Sequence, residues 1–237
     1  MREELASPVS AWLKCRKIIC TIASGAVLCA IAFCGKRVLA QITPDGTLGN
    51  DISSVTPNAV IKGVPVNLVE GGATRGANLF HSFQEFNVGE REQVYFANPV
   101  GINNILSRVT GSNPSNILGT LGVDGSANLF LINPHGILFG QNARLDVGGS
   151  FVGSTANSLV FRNGFQFSAT DPKAPPLLTI NTPIGLQYGS QTGSIRVQGA
   201  SGRRGFFLNL GLGRVQPGKT LALIGGDIVL EGAFLEI

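Results

Sequence analysis

Apolar side chains recur at every second position in short segments of the chain, at Leu121 and Val123, Leu129 and Leu131, Ile137 and Phe139, Leu145 and Val147, Leu221 and Leu223, and Ile228 and Leu230. Gly, Pro or Asn interrupts these segments, and no stretch after Gln41 exceeds eight residues without one of the three. Globular helices average about 11–12 residues, and these residue types break or end them. The pattern therefore predicts many short strands and excludes a mainly helical protein. One segment is ambiguous, because Phe80, Phe83 and Phe86 in LFHSFQEF also fit a helical spacing.

Periodicity does not determine how these strands are arranged in space, since all-β chains form sandwiches, barrels or solenoids. The segments LDVGGSFVGSTANSLVF and LALIGGDIVLEGAFLEI share one rhythm, a short strand, a Gly-Gly corner and another short strand. Such corners are typical of a solenoid whose coils stack on one another. The chain also stops at Ile237 inside an apolar strand pattern, so we expect a truncated series of coils. From periodicity alone, a β-helix and a sandwich both remain open.

The first 40 residues have the pattern of a secretory signal peptide. Lys14, Arg16 and Lys17 precede an apolar run of 17 residues, Ile18–Cys34, and a small-residue site ends at Ala40. This order predicts cleavage between Ala40 and Gln41. The alternative is an uncleaved anchor, because the run is at the short edge for a membrane span.

Removal of residues 1–40 changes the composition. All four cysteines and the whole basic excess lie in the leader, which leaves 12 basic and 12 acidic residues. The neutral remainder gives no support for nucleic-acid or anionic-membrane binding, and we expect a mature domain that does not span a membrane. It keeps 30 of the 32 glycines, about twice the usual frequency. Without cysteine, the mature chain must be stabilised by repetitive packing.

The tetrapeptide Asn133-Pro134-His135-Gly136 joins two apolar runs. Asn at the first position, Pro at the second and Gly at the fourth are typical of a type I turn. The Asn side chain is expected to bond to a main-chain amide two residues on. His135 occupies the third position, where the side chain points to solvent, so we interpret it as a turn residue and not as a catalytic one.

An enzyme is the first alternative, because extracellular β-helices include carbohydrate-active enzymes that need clustered carboxylates. Here the acidic residues are scattered, as at Asp124, Asp146, Asp171 and Asp227, and the nearest cluster, Glu90-Arg91-Glu92, is more simply a solvated turn. The two histidines, His81 and His135, lack a nucleophile-elbow context. We therefore predict no catalytic, cofactor or metal site. The second alternative is a purely structural surface solenoid.

Four segments resemble one known family, and they occur in the family's order: FNVGEREQVYFANP (86–99), NILSRVTGSNPSNILGTLGVDG (104–125), INPHGILFG (132–140) and ARLDVGGSFVGSTAN (143–157). They are similar to the filamentous-haemagglutinin N-terminal domain, also called the two-partner-secretion domain. INPHGILFG resembles the Asn-Pro-Asn-Gly-Ile motif of the family, with His135 at its second Asn. Asn98-Pro99-Val100-Gly101 stands where the family has an earlier Asn-Pro-Asn-Leu motif. The resemblance covers residues 41–167, and residues 168–237 are expected to continue the coils.

This resemblance implies a right-handed parallel β-helix with an N-terminal cap and a small extra-helical sheet. It also implies passage through the inner membrane by the general secretory machinery, and then recognition in the periplasm by an outer-membrane β-barrel transporter that has periplasmic domains. The product would be a secreted or cell-surface, adhesin-like exoprotein. The residues expected to act in transporter recognition or as structural turns are Asn98, Pro99, Asn133, Pro134, Gly136 and Ile137.

Overall fold

The computed structural model describes residues 41–172, 178–199 and 216–232. All the regular secondary structure within these ranges consists of β-strands, which confirms the all-β prediction. The ambiguous segment LFHSFQEF is part of a strand. The predicted signal peptide, residues 1–40, lies outside the described residues.

The strands are numbered in chain order. The first nine are β1 (Ile42–Pro44), β2 (Ser53–Ile61), β3 (Val64–Gly71), β4 (Ala73–Arg75), β5 (Asn78–Phe86), β6 (Gln93–Ala97), β7 (Asn104–Val109), β8 (Ser115–Ile117) and β9 (Thr120–Asp124). The next six are β10 (Asn128–Ile132), β11 (Ile137–Phe139), β12 (Arg144–Asp146), β13 (Phe151–Ser154), β14 (Ser158–Phe161) and β15 (Gln166–Ser168). The last four are β16 (Pro183–Gln187), β17 (Ser194–Gln198), β18 (Leu221–Ile224) and β19 (Asp227–Glu231).

Three sheets form the faces of a solenoid. The first face contains β5, β7, β10, β13 and β18, the second β8, β11, β17 and β19, and the third β3, β6, β9 and β12. The chain visits the faces in turn, so that β7, β8 and β9 make one coil and β10, β11 and β12 make the next. Strands of successive coils pair in parallel. The molecule is therefore a parallel β-helix of about three turns, and the sandwich alternative is excluded.

The interior of the coils is filled by most of the alternating apolar residues that the sequence pattern identified, whereas Ile228 and Leu230 of β19 are 47% and 38% exposed. Leu121, Leu129, Ile137 and Phe139 are all buried in one continuous core. The large residues that alternate with them, Phe130 and Leu138, lie on the opposite side of their strands and are half-buried. The period of two therefore follows from one apolar interior that all three faces share.

Antiparallel elements cover the N-terminal side of the first coil. The strands β1 and β4 both pair antiparallel with β5, and β2 pairs antiparallel with β3. The hairpin between β2 and β3 turns at Lys62 and Gly63, whose positive φ angles of 51° and 81° suit a tight two-residue turn. These elements are the N-terminal cap that the resemblance implied.

A second antiparallel sheet lies outside the coils. Its strands β15, β14 and β16 are inserted between β13 and β17. Leu159, Phe161 and Phe167 of this sheet share a buried cluster with Phe80 and Leu106, which point outward from the first face. The extra-helical sheet thus covers the outer surface of that face. The expected boundary after Phe167 falls inside β15.

The two Gly-Gly corners of the sequence lie at different vertices of the coil. Gly148 and Gly149 join the third face to the first, whereas Gly225 and Gly226 join the first face to the second. A Cβ atom on Gly149 would lie 2.5 Å from the carbonyl oxygen of Ala127 in the preceding coil. Glycine is required there because the backbones of adjacent coils approach each other closely.

An asparagine ladder aligns the coils where the chain enters the first face. Asn104 Nδ2 donates to Asn78 Oδ1 at 3.0 Å, and Asn128 Nδ2 donates to Asn104 Oδ1 at 2.9 Å. The amide of Ser150 donates to Asn128 Oδ1 at 2.8 Å, which continues the ladder to the chain that enters β13. At the other end, Asn78 Nδ2 donates to the carbonyl of Asn181 at 2.7 Å, beside the extra-helical sheet.

We expect Asn104→Ala to lower the free energy of unfolding by about 2 kcal/mol, because it removes two ladder bonds and leaves the buried Asn78 Oδ1 without its donor. Asn103→Ala is the matched control, since Asn103 is adjacent in sequence and exposed. It should change stability by less than about 0.5 kcal/mol. Urea unfolding of both variants measures the difference, and equal midpoints would contradict a stabilising ladder.

Candidate functional site

The Asn133 turn lies at the corner between β10 and β11. The amide of Gly136 donates to the carbonyl of Asn133 at 3.1 Å, and the amide of His135 donates to Asn133 Oδ1 at 2.9 Å. Both bonds are those of the turn expected from the sequence. The His135 side chain is exposed, also as expected.

The side chain of Asn133 is completely buried. Its Nδ2 atom donates to the carbonyl of Asn113 and to Ser115 Oγ, both at 3.0 Å. These two acceptors belong to the same corner of the preceding coil. One amide group therefore shapes its own turn through Oδ1 and fastens that turn to its neighbour through Nδ2.

The remaining motif residues are held between coils. Ser115 donates its amide to the carbonyl of Gly136 at 3.0 Å, and Gly193 donates its amide to the carbonyl of Pro134 at 2.7 Å. Gly136 has a φ of 122°, a conformation that glycine adopts readily. Pro134, Gly136 and Ile137 are all buried, and Ile137 is part of the main core.

A similar arrangement occurs at Asn98 and Pro99, where the chain passes from β6 to β7. The amide of Ile102 donates to the carbonyl of Pro99 at 3.1 Å, and Gly101 has a φ of 86°. Asn98 Nδ2 donates to the carbonyl of Ile102 at 3.0 Å, while Asn98 Oδ1 accepts from the amide of Ala127 at 3.1 Å. Here too an Asn before Pro braces its own turn and binds the adjacent coil.

The two corners differ in accessibility. Pro99 is exposed, and Val100 at the tip of its turn is 106% exposed. In the Asn133 turn, His135 is the exposed member. In the folded domain the first corner is therefore accessible at Pro99 and Val100, whereas the second exposes His135 and buries Asn133, Pro134 and Gly136.

Of the two residues that flank the predicted cleavage site, Gln41 is among the described residues. Gln41 is the first described residue, and its carbonyl accepts the amide of Asn87 at 3.0 Å. Ala40 lies outside the described residues. The strand β1 begins directly afterwards, at Ile42.

Asp146 is a described carboxylate with a close cationic partner, and its contacts are structural. Lys62 Nζ lies 2.7 Å from Asp146 Oδ2, and Tyr95 Oη donates to the same oxygen at 2.6 Å. Burial raises the pKa of Asp146, but the bonds from Lys62 and Tyr95 outweigh it and leave that pKa below the ordinary value. Burial, and then the bond to Asp146, raise the pKa of the Tyr95 hydroxyl. The group fastens the tip of the β2–β3 hairpin against the third face.

Sequence reasoning missed three groups that the structure brings to light. They are the asparagine ladder, the buried Arg108 with its partners, and the buried His81. A signal for the ladder exists, since Ala-Asn-Leu-Phe occurs both at 77–80 and at 127–130, two coils apart. A signal for Arg108 is its position in the apolar run ILSRV. No local signal distinguishes His81.

Within the described ranges, no group of three or more His, Cys, Asp or Glu side chains is arranged to hold a metal ion. In the same ranges, no helix is long and apolar enough to cross a membrane.

The fold and its corners define a class of protein, namely a parallel β-helix in which Asn-Pro turns connect adjacent coils by hydrogen bonds. The chain matches the TPS secretion domain family over residues 40–236, and it belongs to that family. It is therefore a secretion domain of a two-partner-secretion exoprotein. Membership implies a partner outer-membrane transporter and secretion to the cell surface or the extracellular space.

One curated relative is the heme/hemopexin-binding protein of Haemophilus influenzae. It is 32% identical over 82 residues, which make up 35% of this chain and 9% of the relative. The similarity therefore concerns a small part of a much longer protein.

Proposed function

We propose that an outer-membrane β-barrel transporter recognises this chain in the periplasm, through its periplasmic domains, and exports it to the cell surface. The family match over residues 40–236 carries this proposal. Entry into the periplasm follows the general secretory route, directed by the predicted leader, residues 1–40. The role proposed is the export step alone, because the chain spans 9% of the heme/hemopexin-binding relative.

The burial of Asn133 supports recognition of an incompletely folded chain. The Asn133 side chain is 0% exposed in the folded domain, so no partner contacts it once the coils are stacked. Before stacking, the same segment offers unpaired strand edges, which a partner binds by adding a strand of its own. We infer that Asn133, Pro134, Gly136 and Ile137 act in export by shaping the fold, whereas the Asn98–Pro99 corner also offers an exposed surface.

Stacking of the coils outside the cell favours outward movement of the chain through the transporter. Each added coil buries further apolar side chains, and this burial opposes return of the chain through the transporter. No bound nucleotide is required for such a process. The free energy released by folding outside the cell would drive the export.

A catalytic role is disfavoured by the positions of the candidate groups. His81 is 0% exposed and is bonded to Ser53 within the core, so a substrate does not reach it. Asp146 is occupied by Lys62 and Tyr95. We therefore propose that the described domain acts as a secretion module and not as an enzyme.

The test is export in cells that carry the cognate barrel, with protein measured in the medium, on the surface and in the periplasm. We expect wild-type protein outside, beginning at Gln41, and periplasmic accumulation when the barrel gene is deleted. Asn133→Ala should reduce export because it weakens the corner between coils. Unchanged export without the barrel would contradict the proposal.

Substitutions at His135 are the matched controls in the same turn. His135→Ala and His135→Asn change the exposed third position and leave the Asn133 bonds in place, so both variants should be exported normally. If His135→Ala blocked export while Asn133→Ala did not, the motif would act through the exposed histidine, and the role proposed for Asn133 would be wrong.

A further inference from the structure

A buried arginine lies where three separate parts of the fold meet. Arg108 is on β7 of the first face, and it is 1% exposed. Its Nε donates to Ser82 Oγ of β5 at 2.8 Å, and its Nη2 donates to Thr47 Oγ1 of the cap at 2.8 Å. Its Nη1 donates to the carbonyl of Ser168, at the end of β15, at 2.6 Å. Each nitrogen of the guanidinium thus binds a different element.

Asp45 of the cap supplies the opposite charge through bridging hydroxyls. Thr47 Oγ1 donates to Asp45 Oδ1 at 2.6 Å, and Ser82 Oγ donates to Asp45 Oδ2 at 2.8 Å. Because a guanidinium can only donate and a carboxylate can only accept, each hydroxyl accepts from Arg108 and donates to Asp45. Thr110 Oγ1 donates to Asp45 Oδ2 as well, at 2.6 Å.

The electrostatic consequences match this geometry. Burial lowers the pKa of Arg108 and the nearby charge of Asp45 partly offsets this, which leaves the pKa at about 10, so the guanidinium stays charged at neutral pH. Burial raises the pKa of Asp45, but the bonds from Thr110, Thr47 and Ser82 outweigh it and leave the pKa of Asp45 below the ordinary value. We call Arg108, Asp45 and the hydroxyls that bridge them the Arg108 centre. It holds one cation and one anion, and each charge is stabilised by the neighbouring groups.

The extra-helical sheet closes the other side of the guanidinium. The Arg108 Cζ atom lies 4.3 Å from the centroid of the Phe167 ring, over which the cation is stacked. Phe167 also packs edge-on against Phe80 of the first face, at 5.1 Å between ring centroids. Departure of this sheet would remove the stacked ring and the Ser168 carbonyl together.

We propose that the Arg108 centre couples docking of the N-terminal cap to docking of the extra-helical sheet, so that the two elements close on the coils as one cooperative unit. With one element undocked, the guanidinium loses part of its partners while still held against the coils. Such a half-closed state is disfavoured, because a buried charge that loses a partner is costly. Thr47 of the cap and Ser168 of the sheet are more than a hundred residues apart in sequence, and Arg108 lies between them. The inference concerns the folded domain and does not depend on the route of export.

Hydrogen exchange of the exported full chain tests the coupling by perturbing one element and measuring the other. A variant that is not exported is refolded from denaturant. Thr47→Val removes a hydroxyl on the cap side, and we expect exchange in residues 158–168 to become about five-fold faster or more. Phe167→Leu alters the sheet side and should accelerate exchange in residues 42–50 in the same way. In an Arg108→Met background, both cross-effects should fall within about two-fold, because the shared group is gone.

Two controls separate coupling from general loss of stability. Thr56→Val removes an exposed hydroxyl on β2 and should leave residues 158–168 unchanged. Residues 128–146, in the coils, should keep their exchange rates in the single variants. The proposal is overturned if Thr47→Val affects only residues 42–50, or if the coils accelerate as much as the extra-helical sheet.

Discussion

Replacement of Asn133 by alanine is expected to lower the free energy of unfolding by about 3 kcal/mol. The variant loses the two bonds from Nδ2 and the one to Oδ1. Ser115 Oγ, which is fully buried, is then left without its donor. An orphaned buried polar group costs about 1–3 kcal/mol, and whole domains are stable by about 5–15 kcal/mol.

The matched control is Asn113→Ala, at the corner of the preceding coil. The Asn113 side chain bonds to Glu85 at an exposed position, while its carbonyl, which accepts from Asn133, is unaffected by the substitution. We expect a change of less than about 0.5 kcal/mol. Urea unfolding gives the midpoint and slope of both variants. If Asn133→Ala lost no more stability than Asn113→Ala, the brace between corners would have no energetic importance.

The second large effect is a loss of stability in mild acid that is caused by His81. The ring is fully buried, its Nδ1 lies 2.9 Å from Ser53 Oγ, and it packs against Phe83 and Phe96. On the adjacent strand β7, the residue paired with His81 is Ser107, which carries no charge. Burial lowers the pKa of His81 from 6.5 to about 3, because this apolar environment does not solvate a charged imidazole.

The direction of the pH dependence follows from proton linkage. Below about pH 6.5 the unfolded chain binds a proton at His81, whereas the folded domain does not until about pH 3. The stability is therefore complete above pH 6.5 and falls by about 1.4 kcal/mol for each pH unit below it. At pH 4.5 the loss amounts to about 3 kcal/mol. The lowered pKa of Asp45 adds a further loss, at a pH nearer to the ordinary carboxyl value of 3.8.

Urea unfolding between pH 7.5 and 4.5 measures this dependence. His81→Gln should flatten the profile in that window, because it removes the titrating ring. His135→Gln is the control and should keep the slope, since the His135 side chain is exposed in the folded domain. A steep profile that persists in His81→Gln would assign the acid sensitivity to other groups.

The local structure of this protein was largely predictable from its sequence. Glycine, proline and asparagine punctuate the chain so often that helices are excluded, and the apolar residues between them alternate with a period of two. The Asn133 turn, including the bond that the amide of His135 donates to Asn133 Oδ1, followed from four consecutive residues. Such features are local, because the groups that interact lie within a few positions of one another.

Contacts between coils were decided by the tertiary structure. Asn104 bonds to a residue 26 positions earlier, Asn128 to one 24 positions earlier, and Ser150 to one 22 positions earlier. Because the coil length changes from turn to turn, no constant period in the sequence shows which asparagines meet. For the same reason the second function of Asn133, its Nδ2 bonds to the preceding corner, was not apparent.

Polar groups inside the fold depended even more on the assembled structure. His81 resembles any other polar residue of a strand until β2 and the first two coils enclose it, and Arg108 acquires its partners from Thr47, 61 residues earlier, and Ser168, 60 residues later. The sequence by itself determined the strands, the turns and the family resemblance, since these depend on neighbouring residues. The tertiary structure decided which polar side chains are buried and paired, because burial arises only when coils, cap and extra-helical sheet pack together.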